Sequence, residues 1–284
     1  MNKTAIAAAG LGLTALIGLG AWWWHGQRQL PAPGPAVLER PAATPPLAAP
    51  TPAPIAQAAS ESAIRHPLDL PAAAASAPRA ASVIDVGVVL SELFGRKSAL
   101  GMFQLDDFAR RVVATVDNLG RAHAPSRLWP VNPTEGKFLT ERQGDSEVIS
   151  ADNGLRYTPY VLLIETVDLR QVVAAYLKLY PQLQTAYEEL GYPRRYFNDR
   201  LVEVLDQLIA TPDIDAAPKV RLPVINGPVQ PQRPWVLYEF ADPALQSLSA
   251  GQRILLRTGP VNERRLKARL AELRRLLATG APRQ

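Results

Sequence analysis

Chemistry in this chain has to be sought among carboxylates, tyrosines and arginines, because the other reactive groups are scarce. The 284 residues contain no cysteine and three histidines, His25, His66 and His123. The lack of cysteine removes disulfides, thiolate nucleophiles and cysteine metal sites together. A Ser-His-Asp triad would have to use His123, in a loop beside Pro125, and no G-x-S-x-G elbow accompanies it. There is no H-E-x-x-H motif and no glycine-rich phosphate loop, so neither a metal nor a cofactor is expected. Carboxylates remain: Asp106-Asp107, Glu188-Glu189, and Asp199 with Glu203 are the pairs from which a glycosidase-like acid and base would be drawn. Adjacent acids on a helix face different directions, however, and an i, i+4 pair commonly lies on a solvated face.

A denser constellation runs through Tyr187, Tyr192, Arg194, Arg195, Tyr196, Asn198 and Asp199. Aromatic rings beside guanidinium groups suit sugars, peptides or acidic groups. Against that stands the helical spacing of Tyr176, Tyr180 and Tyr187, which would place those rings in the core with their hydroxyls at its rim. Arg194 and Arg195 are the stronger surface candidates, and Asn198 reads as a helix N-cap. A second group is the basic final helix, with Arg264, Arg265, Lys267, Arg269, Arg274 and Arg275. From Gly259 onward seven basic residues face two acidic ones, which accounts for the whole net charge of +5. Such a face meets lipid headgroups or nucleic acid, or is simply solvated.

The elements that must position these groups are mostly helical. Val172, Tyr176, Tyr180, Leu183, Tyr187 and Leu190 share one helix face, opened by Asp168 with Gln171 and closed by Gly191. Pro181 either kinks this helix or divides it near Tyr180. A second helix carries Phe197, Leu201, Val204, Leu205 and Leu208 on one side, with Phe197 and Val202 as a staple, and stops at Thr211-Pro212. The turn at Tyr192-Pro193 makes the pair a helical hairpin. Helices are also predicted at Asp85–Phe94 and about Leu105–Leu119, the latter burying Leu105, Phe108, Val112, Val116 and Leu119. A short hairpin is predicted from Lys137–Leu139 and Glu147–Ile149, and small strands at Val220–Val224 and Trp235–Phe240. Asp242-Pro243, Ser249 with Gln252, and Gly259-Pro260 open the last helical segments, and the final helix should bury Leu266, Leu270, Leu273 and Leu277 with its arginines pointing away.

Before this domain, Thr4 to Trp24 is an unbroken apolar run, about 30 Å long as a helix, closed by Trp22, Trp23 and Trp24. Its length, and the poor cleavage site at Leu19-Gly20-Ala21, favour an uncleaved anchor over a signal peptide. Residues 1–3 then form a short cytoplasmic tail and 4–24 a single transmembrane signal anchor through the bilayer. Residues 25–82 form a disordered Pro/Ala linker, whose span as a coil is near 40 Å. The globular domain occupies 83–280, outside the cytoplasm, where no nucleic acid partner is expected.

The segments RYTPYV, AYEELGYP, RYFNDRLVEVLDQLIATP and YEFADPALQSLSAGQRILLRTGP, with the helix from Asn262 to Leu277, resemble a bacterial family, the domain of unknown function numbered three thousand and fourteen. The similarity covers about Val83 to Ala278, and the Pro-rich insertion at Pro223–Pro234 looks longer than is usual there. The resemblance implies an amino-terminal span and a Pro/Ala linker, and transfers no catalytic residue.

The expected fold is mainly α, a compact helical domain with one or two small β-hairpins. The expected protein is a single-pass, inner-membrane-anchored, periplasmic binding or scaffolding module with an envelope-protein or cell-wall partner. The alternatives are a cell-wall glycoside hydrolase using Glu188 or Asp199, and a cytoplasm-facing tethered regulator.

Overall fold

In the computed structural model, residues 64–70, 84–226 and 231–278 are described. The predicted span at 4–24 and most of the predicted linker lie outside them. Among the described residues no helix is long and apolar enough to cross a membrane.

Helices α1 (Val86–Phe94), α2 (Arg96–Met102) and α3 (Phe108–Leu119) open the domain. Asp85 caps α1 by accepting from the Gly87 and Val88 amides, at 2.8 and 3.2 Å. The predicted start of α3 at Leu105 is corrected to Phe108, because Asp107 is left-handed (φ 52°) and breaks the helical path. Val113, Ala114 and Asp117 are the most buried positions of α3, and Val112, Val116 and Leu119 of the expected face pack beside them against the core clusters.

Strands β1 (Thr140–Gln143) and β2 (Ser146–Ile149) form a hairpin, with Thr140 opposite Ile149 and Gln143 opposite Ser146. The first strand lies C-terminal to the expected Lys137–Leu139 because the tight turn at Gly144-Asp145 sets the pairing register. Strands β3 (Lys219–Arg221) and β4 (Glu239–Phe240) continue the sheet in the order β1-β2-β3-β4, antiparallel throughout. The expected separate minor strands are therefore one four-stranded sheet. Its inner face buries Ile149, Val220 and Phe240 against Leu256.

A 3-10 segment at Ala151–Tyr157 leads into α4 (Thr158–Thr166), α5 (Leu169–Glu189) and α6 (Phe197–Ile209). Helix α5 runs through Pro181 as one element, and Gly191 follows with φ 111°, the left-handed conformation expected of it. Leu179, Tyr180 and Leu183 on both sides of Pro181 enter the same hydrophobic cluster, which holds the two halves in line. The chain closes with α7 (Pro243–Gln246), α8 (Ala250–Arg257) and α9 (Pro260–Ala278). The predicted capping box of Ser249 with Gln252 forms in both directions.

Helix α6 is central, because it is apolar on more than one face. Phe197 enters the cluster of Val89, Val113, Tyr180 and Tyr187; Val202 and Leu205 meet Val173 and Leu277; Val204 and Leu208 meet Leu255. Helix α9 lies across α6 and α4.

Candidate functional site

The constellation read from sequence divides around the start of α6. On one side, Tyr187 is core: it is 3% exposed, stacks on Tyr192 with centroids 4.6 Å apart, and leans on Phe197 at 5.4 Å. Burial raises its phenol above the ordinary value. The Tyr192 hydroxyl donates to the Asp117 carboxylate at 3.2 Å and accepts from Arg121. Asp117, 5% exposed, also pairs with Arg121 at 2.8 Å and Arg200 at 3.1 Å, while Arg200 reaches Glu203 at 3.1 Å. The Arg195 guanidinium lies over the Tyr192 ring at 6.0 Å. Arg194 is exposed in the turn at φ 68° and makes no ion pair with a described residue.

On the other side are Tyr196, Asn198 and Asp199. Asn198 is not the N-cap. Tyr196 holds that position, and the Asn198 side chain is turned inward and fully buried. Its Oδ1 accepts from the Tyr176 hydroxyl at 3.1 Å, and its Nδ2 donates to His66 O at 2.9 Å and Leu277 O at 3.5 Å. The Asn198 amide donates to the Tyr180 hydroxyl at 3.3 Å, which donates in turn to Gln184 at 3.0 Å. Burial pushes the phenols of Tyr176 and Tyr180 up, so both remain protonated donors.

The occupant of this corner is the chain's own segment 64–70, inside the stretch expected to be linker. Asp199 accepts from the amides of Arg65 (3.1 Å) and His66 (2.7 Å), and the Tyr196 hydroxyl accepts from the Leu68 amide (3.1 Å). His66, Leu68 and Leu70 face inward while Pro67 and Asp69 face out, the alternation of an extended chain. Leu68 and Leu70 pack on the cluster of Tyr180, Tyr187 and Phe197. Both Asp199 oxygens are thus taken by main-chain amides, and Asp199 is not paired with Glu203, which holds Arg200 instead. Glu188 accepts from Gln184 at 3.0 Å.

The expectation that the cations of the final helix point away is also corrected. Arg265 forms a two-pronged pair with Glu165, and Arg274 does so with Asp206 at 2.8 and 3.1 Å. Lys267 reaches Asp213 at 2.9 Å and Thr211 O at 2.6 Å. Arg269 reaches Glu272 at 2.7 Å and Val167 O at 2.6 Å. Because α9 is enclosed by α4 and α6, its cations bridge to neighbouring acids and helix-end carbonyls. Arg264 and Arg275 are exposed.

Sequence reasoning missed the inward role of Asn198, the pairing of Asp117 with Arg200, and segment 64–70. The last carried a signal, since IRHPLDL interrupts the Pro/Ala composition with charged and branched apolar residues in alternation. Among the described residues no cluster of acids and histidines could hold a metal ion.

These features define a mainly helical domain with a small antiparallel sheet, whose central hairpin grips an extended piece of its own chain. The chain belongs to the family described as protein of unknown function (DUF3014), whose model matches residues 108–274. The match runs from the start of α3 to residue 274 within α9 and does not include segment 64–70. No curated protein and no solved structure matches the chain.

Proposed function

We propose that this protein is a non-enzymatic binding module of the bacterial cell envelope, tethered to the inner membrane by residues 4–24 with its domain in the periplasm, and that the α5–α6 hairpin takes hold of extended polypeptide by its backbone. One observation carries the binding reading. Tyr196, Asn198 and Asp199 address amides and a carbonyl of residues 65, 66 and 68, while alternate side chains, Leu68 and Leu70, meet the apolar cluster. Main-chain contacts supply affinity and pockets at alternate positions supply selectivity, the division of labour used wherever extended peptides are recognised. A segment held in cis competes at an effective concentration in the millimolar range, so a partner must match its pattern or act when it is released.

The test replaces residues 64–70 of the full chain with a Gly/Ser stretch of equal length and titrates a fluorescent peptide of sequence IRHPLDL. Saturable binding is expected, weaker in the unmodified chain and in the Asp199→Asn variant. A folded replacement chain that leaves the peptide tumbling freely would refute the reading. The location is tested separately by fusing a reporter that matures only outside the cytoplasm after Gln284; a silent reporter refutes the periplasmic placement.

A further inference from the structure

Some cations of this domain are matched by carboxylates and others are not. Arg265, Lys267, Arg269 and Arg274 of α9 are paired, whereas Arg127, Arg253 and Arg257 have no carboxylate at ion-pair distance among the described residues. All three line a cleft of about 400 Å³ between α8 and the loop before the sheet, together with His123, Trp129 and Ile254. Arg253 and Arg257 are one turn apart on α8 and therefore share a face. Backbone carbonyls fix both guanidinium groups: Arg253 donates to Ala122 O, and Arg257 to Tyr238 O at 2.7 Å while lying over the Phe240 ring at 5.3 Å. These contacts orient the cations without cancelling their charge.

Two residues that line the cleft also carry a polar hydrogen with nothing to receive it. Trp129 Nε1 and Arg253 Nε are buried and lack an acceptor among the described residues. A buried donor without a partner is costly in any fold, and two beside uncompensated arginines are what an acceptor-rich anion would relieve. Burial, and then the neighbouring Arg253, make Arg257 give up its proton more readily than usual, a strain that a bound anion removes.

We propose that this cleft is a binding site for a phosphate group carried on a small organic body. The guanidinium forks of Arg253 and Arg257, with Arg127 at the mouth, match the geometry of phosphate oxygens. The Trp129 indole lines the same cleft and is placed to sense what enters it. The cleft is in the size range of small-molecule sites, and Ile254 and Pro125 offer apolar wall to the rest of the ligand. A soluble phosphate ester and a phospholipid headgroup share this chemistry.

The test uses the full chain in detergent. Inorganic phosphate and glycerol phosphate are titrated at constant ionic strength against chloride, and the Trp129 indole N–H resonance is followed, assigned through Trp129→Phe. A saturable shift is expected with both phosphates and none with chloride. Arg127→Gln and Arg253→Gln should each weaken binding at least ten-fold. Because Arg253 also holds the Ala122 loop, the exposed Arg127 is the variant that keeps the fold intact. A second arm measures co-sedimentation of the chain, reconstituted in neutral nanodiscs, with phosphatidylglycerol vesicles. Vesicle binding lost in Arg127→Gln assigns the phosphate to a lipid, and glycerol phosphate binding without vesicle binding assigns it to a soluble ester. An indole resonance that does not move with either phosphate, or affinities unchanged in both arginine variants, overturns the proposal.

Discussion

Replacing Asn198 tests whether its buried carboxamide joins the segment, the hairpin and the final helix. In Asn198→Ala the Tyr176 hydroxyl and His66 carbonyl each lose a short hydrogen bond, and the Leu277 carbonyl loses a long one. At about 1 kcal/mol for each short contact, and about 1 kcal/mol more for polar groups left buried without partners, the loss is about 3 kcal/mol. For a domain of this size that lowers Tm by about 6–12 °C. The isosteric Asn198→Asp separates hydrogen bonding from shape. Its carboxylate still accepts from Tyr176 but faces two carbonyls and lies beside Asp199, so its pKa is raised in the folded state. A raised acid contributes stability that is complete below the unfolded value, about pH 4, and lost as pH rises through the folded value. Urea melts should therefore place Asn198→Asp near the parent in acid and well below it at neutral pH, with Asn198→Ala low throughout. Amide exchange at Arg65, His66 and Leu68 should speed up in both variants at neutral pH. An Asn198→Ala loss under about 0.5 kcal/mol, or an Asn198→Asp loss that ignores pH, would refute the reasoning.

Asp117→Ala leaves Arg200, whose side chain is 16% exposed, without its inner partner, and should cost about 3 kcal/mol in urea melts; a loss below about 1 kcal/mol contradicts the buried network. Gly251 lies where α8 meets α6 and α3, and a Cβ there would come 2.5 Å from Leu208 Cδ2 and 3.1 Å from Leu119 O. Gly251→Ala should therefore destabilise by about 1–2 kcal/mol although alanine is the better helix former, and a stabilised variant would show that the helices can part. Glu263, with its side chain 3% exposed, lies 3.7 Å from Lys267, and burial raises its pKa. Its stabilising contribution is complete below the unfolded value and lost as pH rises through the raised one. Glu263→Gln should then gain about 1 kcal/mol at pH 7 and nothing near pH 4, by thermal melts at both.

Much of the architecture followed from local rules. Asp168, Asp242 and the Ser249–Gln252 pair cap the helices they were expected to cap, and Gly191 adopts the conformation its position requires. These features involve residues a few positions apart, so the chain itself supplies both partners. Family membership was legible for a related reason, because long contiguous runs carry it.

The candidate sites were less legible. Asn198 has the right type and place for a cap, and only the approach of segment 64–70 and Leu277 turns it inward. The arginines of α9 look like a solvated face until α4 and α6 bring Glu165 and Asp206 to them, while the cleft arginines of α8 lie next to a loop more than a hundred residues earlier. The sequence by itself determined the long helices, several of their caps and the chain's sparse chemistry, because those depend on near neighbours and composition. Only tertiary structure decided which polar groups are satisfied and which are left with a charge or a proton to offer. That balance depends on what lies across the gap, and a pattern read along one strand of chain does not contain it.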